Sequence, residues 1–364
     1  MNRKQAAPLF IFLISRILLL SAVYAAFACS MHNLGAPLSL DAWLRHWARA
    51  DSGWYFSIVE NGYSYVPSGR SNIVFFPLYP MLVFFFNLFF HNLALTAVII
   101  SNACFLLALV FLYKLVQQQF GERAAWDSTL LLALFPFSFF YSTAYAESLF
   151  LLLAVLSFYY AERDNWGKAA LSAMFCSASR AVGLFLLPAL ILRYLEKIEF
   201  DRRRIRANFY CLLIIPLGFL FYMGYLWMRF GTNPLFMLRS TELAWERGLF
   251  NFSRLNYAFS NFLADDKAIL YLFYVILTLF FIFSLRNVLR YLKAGYALFA
   301  FCLIITPVLT SLQSMGRFLS VIFPCFIAIA CACRFRLLLY VFYVFCAVML
   351  CAFGIYFMLA GRLY

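Results

Sequence analysis

The sequence contains little charge and almost no histidine for its length. Only 12% of its 364 residues are Asp, Glu, Lys or Arg, and three are His, whereas soluble globular domains carry about 25% charged residues. A soluble globular chain is therefore excluded. The three histidines, His32, His46 and His91, are too few and too scattered for a zinc or iron site.

Motifs that define several enzyme classes are also missing. The chain has no Gly-rich phosphate loop of the Walker or dinucleotide-binding type. Its ten cysteines lie almost entirely within apolar segments, where cysteine behaves as a small hydrophobic residue, and none is paired at the spacing of metal ligands. We therefore expect no metal or other cofactor in this protein, and no nucleic acid as a partner.

Apolar sequence is what the chain has in excess. Hydrophobic residues make up 66% of it, and the mean hydropathy is +0.86. Apolar runs of about 20 residues, the length that crosses roughly 30 Å of hydrocarbon, recur with short basic breaks between them. Strands of a membrane barrel would alternate apolar and polar residues, so continuous runs indicate helices. We predict an all-α membrane protein with about 10–12 transmembrane helices, forming one domain over residues 1–364.

The first apolar run, residues 1–29, follows a basic start and predicts a transmembrane helix. A cleaved signal peptide is the alternative, but the run is longer than a usual signal core and Arg16 interrupts it. The run 74–90 is short and carries Pro77 and Pro80, which indicates a half-inserted segment. The other predicted spans are 93–116, 128–146, 147–162, 168–180, 181–196, 209–229, 268–286, 294–312, 317–333 and 336–358.

Basic residues assign the breaks between these spans to two faces. The formal net charge is +14, and Lys and Arg concentrate in the cytoplasmic loops of membrane proteins. With the N-terminus cytoplasmic, the basic breaks, including the run Arg202–Arg206, fall on the inner face. The outer face then collects residues 30–74, the region near Glu147, the turn 179–183, the loop 230–266 and the turn Gln313–Arg317.

The first outer loop, residues 30–74, lies in the longest stretch with many polar residues. Trp and Tyr anchor membrane proteins at the interface whatever their function, but here they accompany three acids and three arginines. This combination suits a site that handles a hydroxyl, a phosphate and a sugar ring at a membrane surface. A charged group at mid-membrane costs about 2.5–3.5 kcal/mol, so we expect the charges of the outer face to surround a cavity. The loop charges are Asp41, Arg45, Arg49, Asp51, Glu60 and Arg70.

Residues 49–63 (RADSGWYFSIVENGY), followed by Phe75–Pro80, resemble the PIG-V family of mannosyltransferases. That family includes the second GPI mannosyltransferase and belongs to the GT-C class of polytopic glycosyltransferases. One departure is Ala50, because the family commonly has Trp immediately before the loop Asp. The resemblance covers nearly the whole chain. Its further segments are Tyr145–Phe150, Ser179–Gly183, Asn233–Leu235 with Trp245, and Ser314–Phe318 before Pro324.

The resemblance implies transfer of mannose, with inversion, from a polyprenyl-phosphate donor to a hydroxyl of a lipid or glycan acceptor on the outer face. It makes Asp51 the candidate catalytic base, since a well-placed base contributes about 10²–10⁴-fold. Fixed cations stabilise a leaving phosphate, which favours the arginines. Glu147 either holds the acceptor or orients an arginine. The candidate substrate-binding residues are Arg49, Glu147, Arg180, Arg317 and Tyr79.

A GT-C-like helical bundle with a catalytic first outer loop is therefore the predicted fold. A lipid-phosphate leaving group neutralised by arginines needs no divalent metal, and the chain lacks the Asp-x-Asp motif that often binds one in nucleotide-sugar enzymes. The expected partners are the lipid-linked donor, the acceptor and membrane lipids, and a protein partner is left open. Short loops favour a bacterial plasma membrane with the site on the outer face. In a eukaryote the same chain would lie in the endoplasmic reticulum membrane.

Two other functions are compatible with the sequence. A polytopic lipid or solute transporter or flippase would also contain a few intramembrane charges. Against it, the chain shows no pair of inverted halves, and its candidate acids lie toward one face rather than at the midplane. A GT-C enzyme that uses a different lipid-linked sugar is the second alternative, because single residues do not reveal which sugar hydroxyls a site contacts.

Overall fold

The computed structural model describes residues 3–246, 248, 253–260, 266–310, 314–333 and 335–360, and within these ranges the chain forms helices and no strand. Gln313 and parts of the predicted loop 230–266 lie outside the described residues. The α-helices are α1 (Arg3–Asn33), α2 (Leu40–Trp47), α3 (Ser52–Asn61), α4 (Leu78–Phe90), α5 (Leu93–Leu134), α6 (Glu147–Glu162), α7 (Trp166–Ser179), α8 (Leu186–Lys197), α9 (Leu217–Phe230), α10 (Pro234–Ala244), α11 (Ser253–Ser260), α12 (Asp266–Tyr291), α13 (Ala294–Thr310), α14 (Met315–Ser320), α15 (Phe323–Ala332) and α16 (Arg336–Ala360). Short 3-10 helices lie at Asn72–Val74, Ser138–Ser142, Ala181–Phe185, Arg202–Arg204 and Ala207–Ile214.

Five helical segments in the described part of the chain are long and apolar enough to cross a membrane. The prediction of an all-α, polytopic membrane protein is therefore confirmed. Three shorter apolar helices accompany the five, and one of them is α4, which coincides with the predicted half-inserted segment. The five long segments are Ala6–Asn33, Leu93–Leu134, Ala207–Phe230, Ala268–Tyr291 and Arg336–Leu359.

The predicted span 128–146 is wrong as a continuous helix. α5 runs through both predicted spans 93–116 and the start of 128–146, with a break at Gly121, whose φ of 86° is a conformation that glycine tolerates. The helix then ends at Leu134. Pro136 follows, and proline has no N–H with which to continue the helical ladder. Residues 135–146 consequently form turns and a 3-10 helix that lead into α6.

A buried arginine satisfies the backbone at this break. The Arg16 guanidinium, on α1, donates to the carbonyl oxygens of Ala133 and Ser138 at 3.1 and 3.0 Å and to the Ser138 hydroxyl at 2.9 Å. Free carbonyls are costly where water is absent, so this pairing makes the irregular segment tolerable inside the bundle. α1 packs against α5 and α16, which makes the first apolar run a part of the bundle.

Candidate active site

A strained turn between α2 and α3 presents Asp51. Ala50 has a φ of 55°, in the left-handed region that costs an L-residue roughly 1–2 kcal/mol. The buried Tyr145 holds the turn: its hydroxyl accepts a hydrogen bond from the Asp51 N–H and donates one to the Arg49 carbonyl, both at 3.2 Å. Asp51 therefore occupies a fixed position at the start of α3, with its side chain 20% exposed.

Arg317 on α14 connects this turn to the start of α6. Its side chain is only 7% exposed, and its Nη1 donates to Oδ2 of Asp51 at 2.5 Å. Its Nε lies 3.2 Å from Oε1 of Glu147, an ion-pair distance without the alignment of a hydrogen bond. The guanidinium thus lies between two carboxylates that are 96 residues apart in the sequence.

Glu147, the first residue of α6, lies between two arginines. It is 2% exposed, and its Oε1 accepts a hydrogen bond of 2.7 Å from Nη1 of Arg180. The N-terminus of a helix favours a negative group, which suits a carboxylate at this position. Its second oxygen, Oε2, is buried and has no hydrogen-bond partner among the described residues. Asp51, Arg317, Glu147 and Arg180 form a continuous chain of alternating charge with no net charge.

Gly183 allows the turn that carries Arg180 to pack closely against α7. The chain turns after α7, and the Gly183 N–H donates to the Arg180 carbonyl at 2.9 Å. A Cβ atom at Gly183 would come within 2.5 Å of the carbonyl carbon and oxygen of Cys176 on α7. The turn can pack this closely on α7 only with glycine at this position.

We expect Gly183→Ala to lower the free energy of unfolding by about 1–3 kcal/mol, because the added methyl group meets backbone that cannot move aside. The measurement is the thermal unfolding midpoint in detergent. Gly167→Ala is the matched control: Gly167 lies in the first turn of α7, where a Cβ meets nothing within 4 Å, so we expect its midpoint to be no lower than that of the wild type. Equal midpoints for the two variants would contradict the packing argument.

All four charged side chains border one cavity of about 220 Å³. Its other walls come from α3, the segment before α4, α10, α13 and α14, so that apolar side chains surround the charges. Burial, and then the Glu147 carboxylate, raises the pKa of the Tyr55 hydroxyl, which keeps it protonated as a donor. The remaining lining residues are Val74, Phe75, Phe76, Ser179, Ala181, Val182, Leu238, Glu242, Trp245, Leu303, Thr306, Pro307, Thr310, Phe318 and Val321.

Two of the predicted substrate-binding residues lie outside this lining. Arg49 reaches across to α16, where its Nη1 donates to the Leu359 carbonyl at 3.2 Å. Tyr79 is fully buried, and its hydroxyl bonds to the Ala97 carbonyl at 3.2 Å and to the Ser101 hydroxyl at 2.9 Å. Both residues therefore make contacts that hold helices together. The other four predicted residues meet in the cavity: Asp51, Glu147, Arg180 and Arg317.

Sequence reasoning did not single out several polar residues of the cavity. Glu242 lies in the predicted loop 230–266, where charges look like those of an ordinary loop, but the structure places it on α10. Thr306 and Thr310 are spaced four apart on α13, on either side of Pro307. A polar stripe beside a proline in an apolar helix was the available signal. Among the described residues, no group of three or more His, Cys, Asp or Glu side chains is arranged for a metal ion.

Comparison with known proteins gives both family and fold. The sequence profile described as Mannosyltransferase (PIG-V) matches residues 15–230. A curated relative, GPI mannosyltransferase 2 of Drosophila pseudoobscura pseudoobscura, is 32% identical over 118 residues, which cover 29% of this chain and 25% of the relative. The chain thus matches about a quarter of that relative's length.

Two solved structures match this chain, the first of them with a TM-score above 0.5. The crystal structure of ArnT from Cupriavidus metallidurans bound to undecaprenyl phosphate matches with a TM-score of 0.54 and 14% identity, over 84% of this chain and 60% of that one. An oligosaccharyltransferase from Archaeoglobus fulgidus, tethered to an acceptor peptide, matches with a TM-score of 0.45 and 13% identity, over 99% of this chain and 55% of that one. The likeness to ArnT confirms the predicted GT-C-like helical bundle.

Proposed function

The chain belongs to the PIG-V family of mannosyltransferases, and from this premise we propose that it moves a mannosyl group from a polyprenyl-phosphate donor to a hydroxyl of a lipid or glycan acceptor. The observation that carries the proposal is the meeting of Asp51, Glu147, Arg180 and Arg317 in one cavity. Burying four charges in an apolar bundle is costly, and pairing them offsets only part of the cost. Charged groups in membrane proteins are accordingly concentrated at functional sites.

In the proposed reaction Asp51 is the catalytic base. The acceptor oxygen attacks the anomeric carbon while its proton passes to the Asp51 carboxylate, and the bond from the anomeric carbon to the phosphate oxygen breaks on the opposite side. The sugar is transferred with inversion and the polyprenyl phosphate leaves with the bonding electrons. The pairing with Arg317 and the hydrogen bond from the Asp51 N–H to Tyr145 hold the base in place, as general base catalysis requires.

Arg180 and Arg317 are the proposed ligands of the donor phosphate. A guanidinium has five N–H donors in a planar fork that matches phosphate oxygens, and each arginine spends only part of this capacity on carboxylates. Glu147 contacts both guanidinium groups through one oxygen. Glu147 was predicted either to hold the acceptor or to orient an arginine, and these contacts favour the second role. We propose that Glu147 fixes the distance between the two arginines before the phosphate binds.

The lipid-linked donor and the outer face are parts of the same proposal. Undecaprenyl phosphate is the bound molecule in the ArnT structure, and a polyprenyl phosphate offers the anion that the arginine pair suits. The distribution of Lys and Arg favours an outer position for the first outer loop, residues 30–74, and for the second, 230–266. We therefore propose that the cavity lies on the outer face. Because the loops are short, we propose that the membrane is a bacterial plasma membrane, and we propose a single domain over residues 1–364.

The test is a transfer assay in lipid nanodiscs with polyprenyl-phosphate-[¹⁴C]mannose and an extract of lipids and glycans from the host. We expect label to enter the extract with this donor and not with GDP-[¹⁴C]mannose, with and without a chelator. If the protein transfers glucose from polyprenyl-phosphate-glucose and does not transfer mannose, the proposed reaction holds but the proposed sugar is wrong. If the labelled lipid crosses a vesicle membrane and no new glycosidic bond forms, the protein is a transporter and the proposed enzymatic function is wrong.

Tyr145→Phe tests how the base is positioned. The variant keeps the ring but removes the hydroxyl that joins the Asp51 N–H to the Arg49 carbonyl, and small displacements of a catalytic group are expensive. We expect kcat to fall about fivefold, since one buried hydrogen-bonding group is worth roughly 1 kcal/mol, with the KM for the donor unchanged. A rise in KM without a fall in kcat would assign Tyr145 to substrate binding instead.

A further inference from the structure

One face of α10 lines the cavity with an acid and an indole that the proposed reaction does not use. Leu238, Glu242 and Trp245 are spaced four and three residues apart, so they lie along one side of the helix and its end. All three border the cavity. Resting on the proposed function, we infer that this face binds the sugar ring of the acceptor, a hexopyranoside, and that Glu242 and Trp245 determine its recognition.

The indole of Trp245 is held by other rings. Trp54 and Phe75 stack on each other with ring centres 6.1 Å apart, and Trp245 packs edge-on against them at 5.5 and 6.3 Å. The guanidinium of Arg70 lies over the Trp245 ring at 4.8 Å. A ring fixed in this way loses little further conformational entropy when a ligand binds. It offers an apolar surface to the C–H face of a sugar and an N–H to its hydroxyl groups.

Two polar groups of this face suit hydroxyls. The Nε1 atom of Trp245 is buried and has no hydrogen-bond partner among the described residues, which is an unfavourable state for a donor. The oxygen of a sugar hydroxyl would satisfy it. The exposed Glu242 side chain, one turn away on α10, supplies carboxylate oxygens that accept hydroxyl hydrogens.

Charge and position assign this face to the acceptor rather than to the donor phosphate. A carboxylate at Glu242 repels a phosphate, which Arg180 and Arg317 attract. Trp54 follows the proposed base by three residues, on the first turn of α3. A ring held against Trp245 and its neighbours therefore lies beside the segment that presents Asp51, and that is where the reacting hydroxyl must be.

The experiment is equilibrium binding of ³H-labelled octyl α-D-mannopyranoside to the full chain in nanodiscs, free of glycoside detergents, with labelled octanol to measure partition into lipid. Binding of labelled polyprenyl phosphate is measured in parallel. We expect Glu242→Gln and Trp245→Phe each to raise the Kd for the mannoside about tenfold, the effect of one lost hydrogen bond. Neither variant should weaken the binding of polyprenyl phosphate.

Glu246→Gln is the matched control, because Glu246 is an exposed acid four residues beyond Glu242 that does not border the cavity. The inference is overturned if the wild type binds the mannoside no better than octanol, or if all three variants bind it as the wild type does. Trp245→Phe keeps an aromatic ring but removes the indole N–H, and it decides the matter if Glu242→Gln also weakens the binding of polyprenyl phosphate. The wild-type protein could bind the mannoside through Glu242 and yet neither bind polyprenyl phosphate nor transfer mannose. That result would contradict the proposed function but support the sugar site.

Discussion

Replacing Asp51 by Asn should lower kcat for mannosyl transfer by about 10²–10⁴-fold, the contribution of a well-placed general base. The amide has the size of the carboxylate and can still accept a hydrogen bond from Arg317, so the cavity keeps its shape. The variant leaves Arg180 and Arg317 facing one carboxylate instead of two. This gain of positive charge favours the anionic donor, and we expect the KM for the donor not to rise.

Asp41→Asn is the control for Asp51→Asn. Asp41 lies in the same outer loop and also pairs with an arginine, Arg45, at 3.2 Å, but both side chains are about 70% exposed. An exposed pair of this kind contributes about 0–1 kcal/mol, so we expect its kcat to equal that of the wild type. An Asp51→Asn protein that keeps more than about a tenth of the wild-type kcat would exclude Asp51 as the base. Glu147→Gln would then be the next variant to assay.

The polytopic helical class was predictable because it depends on composition and on the length of apolar runs. The same runs could not show where helices end inside the bundle. Residues 128–146 read as one apolar span, yet the helix stops at Leu134 and Arg16 satisfies the carbonyls of the break. Hydrophobicity is similar in a helix and in a buried turn. The difference depends on a hydrogen bond from an arginine more than 100 residues away in the sequence.

The residues of the candidate site were predictable only where a charge interrupts apolar sequence. Glu147, Arg180 and Arg317 are charges in apolar sequence, and such charges are expensive enough in a membrane to be informative on their own. Tyr79 and Glu242 give no such signal. Tyrosine is frequent in this chain and usually anchors or packs, as Tyr79 does here. Glu242 lies in a polar stretch, and only the path of α10 brings it to the cavity.

Arg317→Gln is the variant for which we expect the largest loss of stability. Its side chain is 7% exposed, and its guanidinium lies between Asp51 at 2.5 Å and Glu147 at 3.2 Å. Removing one partner of a buried ion pair leaves an uncompensated charge and costs about 3–5 kcal/mol. The unfolding midpoint can be followed with a thiol-reactive dye, because four free cysteines become accessible only on unfolding. These buried cysteines are Cys104, Cys176, Cys325 and Cys346.

A second substitution separates stability from catalysis. In Arg317→Gln with Glu147→Gln the remaining charges, Asp51 and Arg180, sum to zero, but each has lost its ion-pair partner, so we expect only part of the lost stability to return. Transfer should be far slower than in the wild type, because the donors of Arg317 are absent and only Arg180 remains to neutralise the leaving phosphate. Arg45→Gln, which removes an exposed arginine from its pair with Asp41, should melt like the wild type. If the double variant regains transfer together with stability, Arg317 holds the two carboxylates together and takes no part in binding the phosphate.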